Sequence, residues 1–352
     1  MVVPIAMPRP SVSVVVPVRD ERSRIAQVLA CIEAQTWVPD EVIVVDGLST
    51  DGTREWLQQA MGTRPWLRMV DNPHRIVPSA LNIGLVSATG DLLCRMDAHA
   101  DYPDGYVHGL VGILVDRPEA VGAGSLMNTA GRGAWGAAFA TVLSRPFGLG
   151  GARHRVAGEG GPVEHIFTGT YRRAALLATG GWDEAQCANE DSEMDVRLRK
   201  VGGVLWLEPT VSSTWYTRDT MSKLAQQMWR YGYYRARTTL LHPDSLRPRH
   251  LVPACLVVGL VWSLVARPLW GVRFIALYGA AAAVLATRAA RADGTSSART
   301  TVAIPVIHLS WGAGLFVGLI RHGLAGVVPS KAVSMTKNGS LQRISRPIAA
   351  LS

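Results

Sequence analysis

Apolar and polar residues follow two different periods along the first part of this chain. Short continuous runs of apolar, mostly β-branched residues, such as SVSVVVPV, are typical of buried strands. Between them, apolar residues recur at helical spacing, as in RIAQVLACIEAQ. Strands that alternate with such helices indicate an α/β fold, with a mostly parallel sheet that carries helices on both faces. The predicted strands are 11–18, 41–47, 66–72 and 91–98, and the predicted helices are 24–35, 53–61, 77–88 and 106–116.

The pattern is less regular after residue 116. A stretch rich in Gly and Arg, 130–165, is typical of a mobile loop. We expect helices at 191–202 and 221–240, with a strand at 204–209 between them.

Three apolar runs then change the character of the chain. The third is long enough to cross a bilayer, which needs about 20 apolar residues, and the first two are near that limit. The first two could be two spans or an in-plane pair, and a buried helical core is the alternative for all three. The runs are 251–266, 269–286 and 302–320. We therefore divide the chain into an α/β domain (1–240), membrane-associated helices (241–325) and a basic tail (326–352) that we expect to be disordered.

The distribution of charged residues indicates which partners the chain binds and on which side of a membrane the α/β domain lies. The 36 Lys and Arg residues exceed the 27 Asp and Glu residues, which favours a phosphate-bearing substrate or an acidic membrane surface. Basic runs interleaved with aromatic residues are missing, so we expect no nucleic acid partner. Arginines before the first apolar run, Arg235 to Arg249, place the α/β domain on the cytoplasmic side. The basic tail also favours the cytoplasm, whereas three full spans would place it outside, and the sequence leaves that conflict open.

Several enzyme classes are disfavoured by what the motifs lack. The four cysteines form no CxxC pair, which argues against a zinc site and a disulfide framework. A glycine-rich GxGxxG turn does not follow the first strand, which disfavours dehydrogenases and methyltransferases.

Carboxylates instead follow three of the predicted strands, at the edge where ligands bind to open parallel sheets. The first strand leads into Glu21, the second ends in Asp46, and the fourth ends in Asp97, with His99 and Asp101 just after it. Carboxylates repel a diphosphate unless a divalent cation bridges the two. These groups therefore either face solvent or hold a cation.

Five motifs, in this order, resemble the family 2 glycosyltransferases with the GT-A fold. Within that family, the chain resembles the membrane-associated subgroup that builds bacterial exopolysaccharides, the succinoglycan glucosyltransferase type. The resemblance covers roughly residues 11–240. The motifs are SVVVPVRDE, VIVVDGLSTDGT, LNIGLVSATGDLLCRMDAHADY, FTGTYRRAALLATGGWDE and NEDSEMDVRLRKVG.

The resemblance implies a nucleotide pocket at the ends of the first two strands. Pro17, Arg19, Glu21 and Asp46 would line it, with Asp46 accepting a hydrogen bond from the base. Gly47 stands where the family usually has a second Asp, so part of the base or ribose contact is in doubt.

The resemblance also implies a metal site, since Asp97-x-His99 takes the place of the family's DxD. Asp97 would reach the ribose or the metal, and His99 would replace a metal-binding carboxylate. Imidazole suits Mn²⁺ better than Mg²⁺, so we expect either cation with Mn²⁺ favoured. The alternative is that His99 is a solvated histidine bound to Asp101.

The second carboxylate cluster, ANEDSEMD, implies the catalytic base. By resemblance, Asp191 removes the proton from the acceptor hydroxyl, and Glu190 positions the acceptor. The alternative is an acidic first turn of a helix, stabilised by the helix dipole, and both can hold at once.

Residues for the acceptor and the leaving group follow from QMWRY, which resembles the QxxRW signature with Tyr for Trp. Arg230 would neutralise the diphosphate as it leaves, while Gln227 and Tyr231 would contact the acceptor sugar. An interfacial amphipathic helix is an equal alternative. Trp182 is either a sugar-stacking ring or a core residue.

Cations in the 130–165 stretch suggest a further role. We expect this stretch to close over the donor and to meet the lipid phosphate of the acceptor. The cations are Arg132, Arg145, Arg153, His154 and Arg155.

The sequence therefore predicts an inverting glycosyltransferase at the cytoplasmic face of the inner membrane. It would move a hexose from a nucleotide-diphosphate sugar to a lipid-linked, polyprenyl-diphosphate-bound glycan acceptor. The alternatives are a polyprenyl-phosphate glycosyl synthase and a nucleotide-sugar-binding membrane adaptor without catalysis.

Overall fold

The predicted alternation of strands and helices is present from Val12 to Asp116 in the computed structural model, which describes residues 9–156, 158–329, 332–335 and 341–344. Each apolar run forms a strand, and each run with helical spacing forms a helix. The elements are β1 (Val12–Val18), α1 (Ile25–Glu33), β2 (Glu41–Asp46), α2 (Thr53–Met61), β3 (Leu67–Asp71), α3 (Val77–Ser87), β4 (Leu92–Arg95), β5 (Ala100–Asp101) and α4 (Tyr106–Asp116).

Strand β1 is apolar except for Ser13 because both of its faces are covered. Successive side chains of a strand point to opposite faces of the sheet. Val14 and Val16 join an apolar cluster with α1, α2 and α4, whereas Val15 joins a second cluster with α3. Burial on both faces is typical of a parallel sheet covered by helices.

The chain from residue 120 to 216 completes the sheet and corrects one prediction. The stretch 130–165 is largely regular structure among its described residues, where the sequence predicted a loop. Its glycines suggested a break, but Phe139 and Val142 of the first helix are fully buried, and this packing overrides local propensity. The elements are β6 (Ala120–Ala130), α5 (Gly133–Leu143), α6 (Pro146–Leu149), α7 (Arg153–Val156), β7 (Gly161–Val163), β8 (Gly169–Arg172), α8 (Arg173–Ala178), α9 (Glu190–Lys200) and β9 (Val204–Tyr216).

The described strands up to β9 form one nine-stranded mixed sheet. Its order is β3-β2-β1-β4-β8-β6-β9-β5, and β7 pairs with β9. Strand β1 is parallel to β2 and β4, whereas β8 is antiparallel to β4 and β6. The carboxyl ends of β1, β2 and β4 therefore lie together at one edge of the sheet, as the sequence predicted.

The second part of the chain is helical. After α10 (Met221–Leu241) and a 3₁₀ turn (Pro243–Ser245) come α11 (Pro248–Ala266), α12 (Pro268–Asp293) and α13 (Ser297–Ala325). The last three are long and apolar enough to cross a membrane. Helix α11 buries none of its residues, and large apolar side chains such as Val265 are up to 80% exposed. Exposed apolar surface of this extent marks an interaction with lipid or with another protein.

Helix α13 packs closely along α10. A Cβ at Gly314 would lie 2.1 Å from the carbonyl oxygen of Trp229, and a Cβ at Gly232 would lie 2.0 Å from that of Trp311. Glycine at both positions lets the two backbones approach. One apolar cluster joins Phe139 of α5 to α10, α12 and α13.

Both ends of α13 are held by the α/β domain. Just before its start, Thr295 hydrogen-bonds to Thr141 of α5 at 3.0 Å. Just after its end, the carbonyl oxygen of Val328 accepts a hydrogen bond from Nη2 of Arg237 at 2.9 Å. Helix α13 therefore lies along the surface of the α/β domain rather than leading away from it.

The basic tail falls mostly outside the described residues. Within it, β10 (Ala332–Met335) and β11 (Leu341–Ile344) form an antiparallel pair. Residues 330–331, 336–340 and 345–352 are not described, so the predicted disorder of the tail stays a prediction.

Candidate active site

A cavity of about 1020 Å³ lies between the mixed sheet with its helix α9 and helices α10 to α13. It contains the end of β4, the start of α9 and an apolar wall from α11, α12 and α13. Seven cationic side chains line it against three carboxylates, an excess that suits a diphosphate. The cations are Arg95, Arg155, Arg218, Lys223, Arg230, Arg235 and Arg249, and the carboxylates are Asp97, Glu190 and Asp191.

Arg95 joins two of these carboxylates, a contact that no motif in the sequence predicts. Its Nε donates to Oδ1 of Asp97 at 2.8 Å and its Nη2 to Oδ2 at 3.1 Å. Its Nη1 donates to Oε1 of Glu190 at 3.0 Å. All three side chains are buried, so the guanidinium and the two carboxylates stabilise one another where water does not. The guanidinium of Arg95 thus binds both Asp97, the predicted metal ligand, and Glu190, the predicted acceptor-positioning residue.

In this arrangement the pKa values of Asp97 and Glu190 shift in opposite directions. Burial would raise the pKa of Asp97, but the charge of Arg95 and its hydrogen bonds outweigh burial and lower it. Burial raises the pKa of Glu190, and the nearby Asp191 carboxylate adds to the rise against the opposing charge of Arg95. Asp97 is therefore held ionised, as a cation ligand must be.

Residues that could hold a divalent cation are few. Asp97 and His99 line the same cavity, with Asp97 buried and His99 exposed. The described residues hold no group of three or more His, Cys, Asp or Glu side chains suited to a metal ion. A site with one or two protein ligands fits a cation whose other ligands are phosphate oxygens and water. The alternative hydrogen bond between His99 and Asp101 is not present among the described residues, where Asp101 accepts from Oη of Tyr216.

Asp191 lies in the first turn of α9, at the wall of the cavity. Helix α9 begins at Glu190 because Asn189 adopts a left-handed conformation, with φ of 55°. Oδ1 of Asp191 accepts from the N–H of Ser192 at 2.7 Å, while Oδ2 lies 3.9 Å from Nε2 of His165. The acidic first turn and a position at the cavity wall are therefore both present, as the sequence analysis allowed.

His165 is a second residue that sequence reasoning missed, because an isolated histidine carries no pattern. Its Nδ1 lies 2.7 Å from Oδ2 of Asp195, and its Nε2 faces Asp191. Burial would lower the pKa of His165, but the charges of Asp191 and Asp195 outweigh burial and raise it. Asp195 also accepts from the N–H of Ile166 at 3.0 Å. This buried carboxylate orients the imidazole beside Asp191.

The acceptor residues implied by QMWRY lie in the cavity. Nε2 of Gln227 donates to Oη of Tyr231 at 3.1 Å. Oε1 of Gln227 is buried and has no hydrogen-bond partner among the described residues. Arg230 donates from Nη2 to the carbonyl oxygen of Cys187 at 3.0 Å and also lines the cavity. A buried carbonyl oxygen without a donor is suited to a ligand hydroxyl.

The nucleotide residues lie at the ends of β1 and β2, apart from the large cavity. Asp46 is fully buried and accepts from the N–H of Ser49 at 3.1 Å and from Nη1 of Arg54. Arg54 also pairs with Asp71 at 2.8 Å. The contact of Asp46 with a base therefore stays a prediction, since its carboxylate is already satisfied within the protein.

Arg19, Pro17 and Glu21 surround the end of β1. A Cβ at Gly47 would lie 3.2 Å from Cβ of Arg19, so Arg19 lies where a side chain at position 47 would begin. Burial raises the pKa of Glu21, and the charge of His99 opposes this rise. Glu21 is thus electrostatically coupled to the end of β4, as expected from the neighbouring strands.

Trp182 is corrected from a sugar-stacking ring to a core residue. Its side chain is 1% exposed and packs in the apolar cluster of α3, α8 and α9. Asn82 binds both its N–H, at 2.7 Å, and its carbonyl oxygen, at 2.9 Å. A sugar cannot reach the ring.

The cations of the 130–165 stretch are also corrected in part. His154 and Arg155 line the cavity, whereas Arg132, Arg145 and Arg153 do not. Arg145 pairs with Asp293 at 2.7 Å, Arg153 binds the carbonyl oxygen of Pro162 at 2.9 Å, and Arg132 lies over the ring of Tyr216.

Comparison with known proteins shows what the chain is similar to. Residues 13–178 match the family model described as glycosyl transferase family 2. The chain is 32% identical over 316 residues to the succinoglycan biosynthesis protein ExoA of Rhizobium meliloti, covering 87% of this chain and 94% of that one.

Two further likenesses are more distant. Over 234 residues the chain is 24% identical to a Methanococcus voltae protein named dolichyl N-acetyl-alpha-D-glucosaminyl phosphate 3-beta-D-2,3-diacetamido-2,3-dideoxy-beta-D-glucuronosyltransferase, covering 63% of this chain and 71% of that one. The fold is similar to mannosyltransferase PcManGT from Pyrobaculum calidifontis in complex with GDP-Man and Mn²⁺, with a TM-score of 0.57, 20% identity, and 88% of this chain and 87% of that one covered. The predicted GT-A fold is thereby confirmed.

Proposed function

This chain belongs to the family 2 glycosyltransferases, and we propose that it is an inverting hexosyltransferase. Its donor would be a nucleotide-diphosphate sugar, and its acceptor a membrane-held, polyprenyl-diphosphate-linked glycan in cell-surface or exopolysaccharide synthesis. The observation that carries the proposal is the bridge of Arg95 between Asp97 and Glu190, with Asp191 in the same cavity.

Asp191 acts as the base in this proposal. The acceptor hydroxyl oxygen attacks the anomeric carbon of the donor, and the bond from that carbon to the diphosphate oxygen breaks. Asp191 takes the hydroxyl proton as the new bond forms. Attack from the side opposite the leaving diphosphate inverts the anomeric centre. The place of Asp191 on the cavity wall, one residue after Glu190, supports its role as the base.

Asp97 and His99 would hold a divalent cation, which neutralises charge on the donor diphosphate when bound. The likeness in fold to a mannosyltransferase in complex with GDP-Man and Mn²⁺ supports such a cation. The imidazole ligand favours Mn²⁺ over Mg²⁺. Arg230, on the wall of the same cavity, adds positive charge where the diphosphate departs.

A lipid-linked acceptor is supported by two observations. The named activity of the Methanococcus voltae relative is on a dolichyl phosphate-linked sugar. In this chain, the apolar residues of α11 and α13 share the cavity with Gln227 and Tyr231, so a sugar and a hydrocarbon chain can lie side by side. The unpaired Oε1 of Gln227 would accept a hydrogen bond from the acceptor sugar.

The proposed location is the cytoplasmic face of the inner membrane. The exposed apolar surfaces of α11 and α12 would enter the lipid. Because the α/β domain binds the chain at both ends of α13, that helix would lie along the membrane surface and its carboxyl end would stay on the cytoplasmic side. This arrangement removes the conflict between three spans and the basic tail.

A donor panel tests the proposal. Purified full-length protein is offered UDP-, GDP- and TDP-sugars with Mn²⁺, Mg²⁺ or EDTA, with and without a lipid extract as acceptor source. We expect cation-dependent release of one nucleoside diphosphate, stimulated by the lipid extract. A chain that binds nucleotide sugars but releases no nucleoside diphosphate under any condition would be the non-catalytic adaptor, and the proposal would be wrong.

A further inference from the structure

Two arginines on the cavity wall lack an anionic partner. The side chain of Arg235 belongs to a residue that is 8% exposed, and its Nη2 donates to the carbonyl oxygen of Ser245. Its Nε has no partner among the described residues. Arg155 is partly buried and donates from Nη1 to Oγ1 of Thr129 at 3.0 Å. Neither guanidinium lies within ion-pair distance of a carboxylate in the described part of the chain.

Other charges nearby compensate for them only in part. Glu164 is bound to Arg247 and lies 3.6 Å from Arg249. Burial and the charge of Arg249 lower the pKa of Arg235 to about 10. Burial likewise lowers the pKa of Arg155 to about 10. A buried or partly buried cation without an ion-pair partner is costly, and an anion bound at these guanidinium groups would offset that cost.

Part of the wall of the same cavity is apolar. It is formed by Val252 and Leu256 of α11, Tyr278 of α12 and Ile307 and Trp311 of α13. An anion at the arginines therefore has space for hydrocarbon beside it. Inorganic phosphate alone would leave this wall without a contact.

The cavity also continues from the arginines to the candidate base. Arg155 and Asp191 both line it, and they interact electrostatically. A headgroup at Arg155 and Arg235 can therefore extend a sugar toward Asp191. A phosphatidylglycerol headgroup carries phosphate but no acceptor sugar. The named activity of the Methanococcus voltae relative on a dolichyl phosphate-linked sugar favours an isoprenoid lipid as the occupant.

We infer that Arg155 and Arg235 bind the phosphate groups of a polyprenyl diphosphate, whose isoprenoid chain lies against α11, α12 and α13. This site rests on the proposed function for its role as the acceptor site. Guanidinium groups suit it because they bind phosphate oxygens through paired hydrogen bonds.

Binding of farnesyl diphosphate to the full-length protein in detergent tests the inference. Inorganic pyrophosphate supplies the anion alone, farnesol the chain alone, and phosphatidylglycerol an anionic headgroup on a different chain. We expect farnesyl diphosphate to bind at least about tenfold more tightly than each of the other three. Equal affinity for phosphatidylglycerol, with the same dependence on the arginines, would make this a general headgroup site and would overturn the inference.

Arg235→Gln and Arg155→Gln should each weaken farnesyl diphosphate binding about tenfold or more. Arg247→Gln is the matched control, because it removes a neighbouring charge that pairs with Glu164 and does not line the cavity. We expect it to bind like the wild type. Loss of affinity in all three variants alike, or in none, would overturn the inference. Thermal unfolding shows that each variant is folded, and the less buried Arg155 gives the second test if Arg235→Gln is not.

Two measurements distinguish this lipid site from the donor site and from the proposed function. Leu256→Trp, which fills the apolar wall, should weaken binding of farnesyl diphosphate but not of pyrophosphate. Affinity for the nucleotide-sugar donor is measured in parallel, and a parallel loss in the arginine variants would place these residues at the donor diphosphate and overturn the inference. If even the wild type binds no donor while farnesyl diphosphate binding depends on the arginines, the proposed function fails and the lipid site stands.

Discussion

Nη1 of Arg95 lies 3.0 Å from Oε1 of Glu190, although the two residues are 95 positions apart in the chain. The same guanidinium also binds both carboxylate oxygens of Asp97. The buried guanidinium of Arg95 therefore holds the end of β4 to the start of α9. In the proposed reaction, this guanidinium fixes the donor side of the cavity relative to the acceptor side.

Arg95→Lys should therefore lower turnover more than it lowers stability. An ammonium group cannot reproduce the paired hydrogen bonds to Asp97 and still reach Glu190. We expect transfer to fall by about a hundredfold or more, the range seen when positioning is lost. Arg95→Met should also destabilise the fold by about 3–5 kcal/mol, because two buried carboxylates lose their cation. Transfer rates and thermal unfolding of both variants check this.

Arg197→Lys is the control for Arg95→Lys. Arg197 is a buried arginine on α9 that pairs with Glu193 at 2.8 Å, away from the cavity. We expect this variant to lose stability and to keep its turnover at temperatures where it is folded. Equal loss of turnover in the two lysine variants would mean that Arg95 acts only through folding.

The cation preference should depend on His99, as proposed above. With imidazole as one ligand, the wild type should be more active with Mn²⁺ than with Mg²⁺. His99→Asp replaces nitrogen by oxygen and should shift the ratio of the two activities toward Mg²⁺. Titration of each metal against both proteins measures that ratio. An identical ratio in the wild type and the variant would remove His99 from the metal site.

The stability of the fold should depend on pH through His165. Its pKa is raised in the folded state because the charges of Asp191 and Asp195 outweigh burial. The stabilisation is therefore complete below the unfolded value of about 6.5 and is lost as the pH rises through the higher folded value. The difference in unfolding temperature between the wild type and His165→Gln should be larger near pH 6 than near pH 8.5. Substitution of the exposed His74 is the control, and a pH-independent difference for His165→Gln would contradict the charged pair.

The carboxyl terminus should lie in the cytoplasm. The α/β domain holds the chain at both ends of α13, through Thr141 at one end and Arg237 at the other. A green fluorescent protein fused after Ser352 should therefore fluoresce, and an alkaline phosphatase fused at the same position should be inactive. The reverse result would mean that all three apolar helices cross the membrane.

Much of the fold follows from local patterns in the sequence. The strands and helices up to α4, apart from the short β5, were predictable because a covered parallel sheet needs continuous apolar runs between amphipathic helices. The helix α5 was not, since the glycines in GAWGAAFATVL suggest a loop and only tertiary packing of Phe139 makes it a helix. The packing of α13 on α10 depends on close approaches at Gly232 and Gly314, which have no local signal.

Some residues of the candidate site were also predictable from sequence motifs, whereas others are revealed only by the structure. Asp97, Glu190 and Asp191 stand in motifs, and the structure brings them to one cavity. Arg95 belongs to an apolar run that reads as an ordinary buried strand, and its role appears only when β4 meets α9. Trp182 had two equal interpretations, and burial decided between them.

The most direct test of the central claim is transfer of a radiolabelled hexose from the donor into organic-extractable lipid, with wild-type protein and with Asp191→Asn. Donor affinity and unfolding temperature are measured on both proteins. We predict label in the lipid fraction with the wild type, and a loss of about 10²–10⁴-fold in the variant with donor affinity retained. Comparable transfer by the variant would contradict the assignment of Asp191 as base and would favour a phosphate acceptor, which needs no such base.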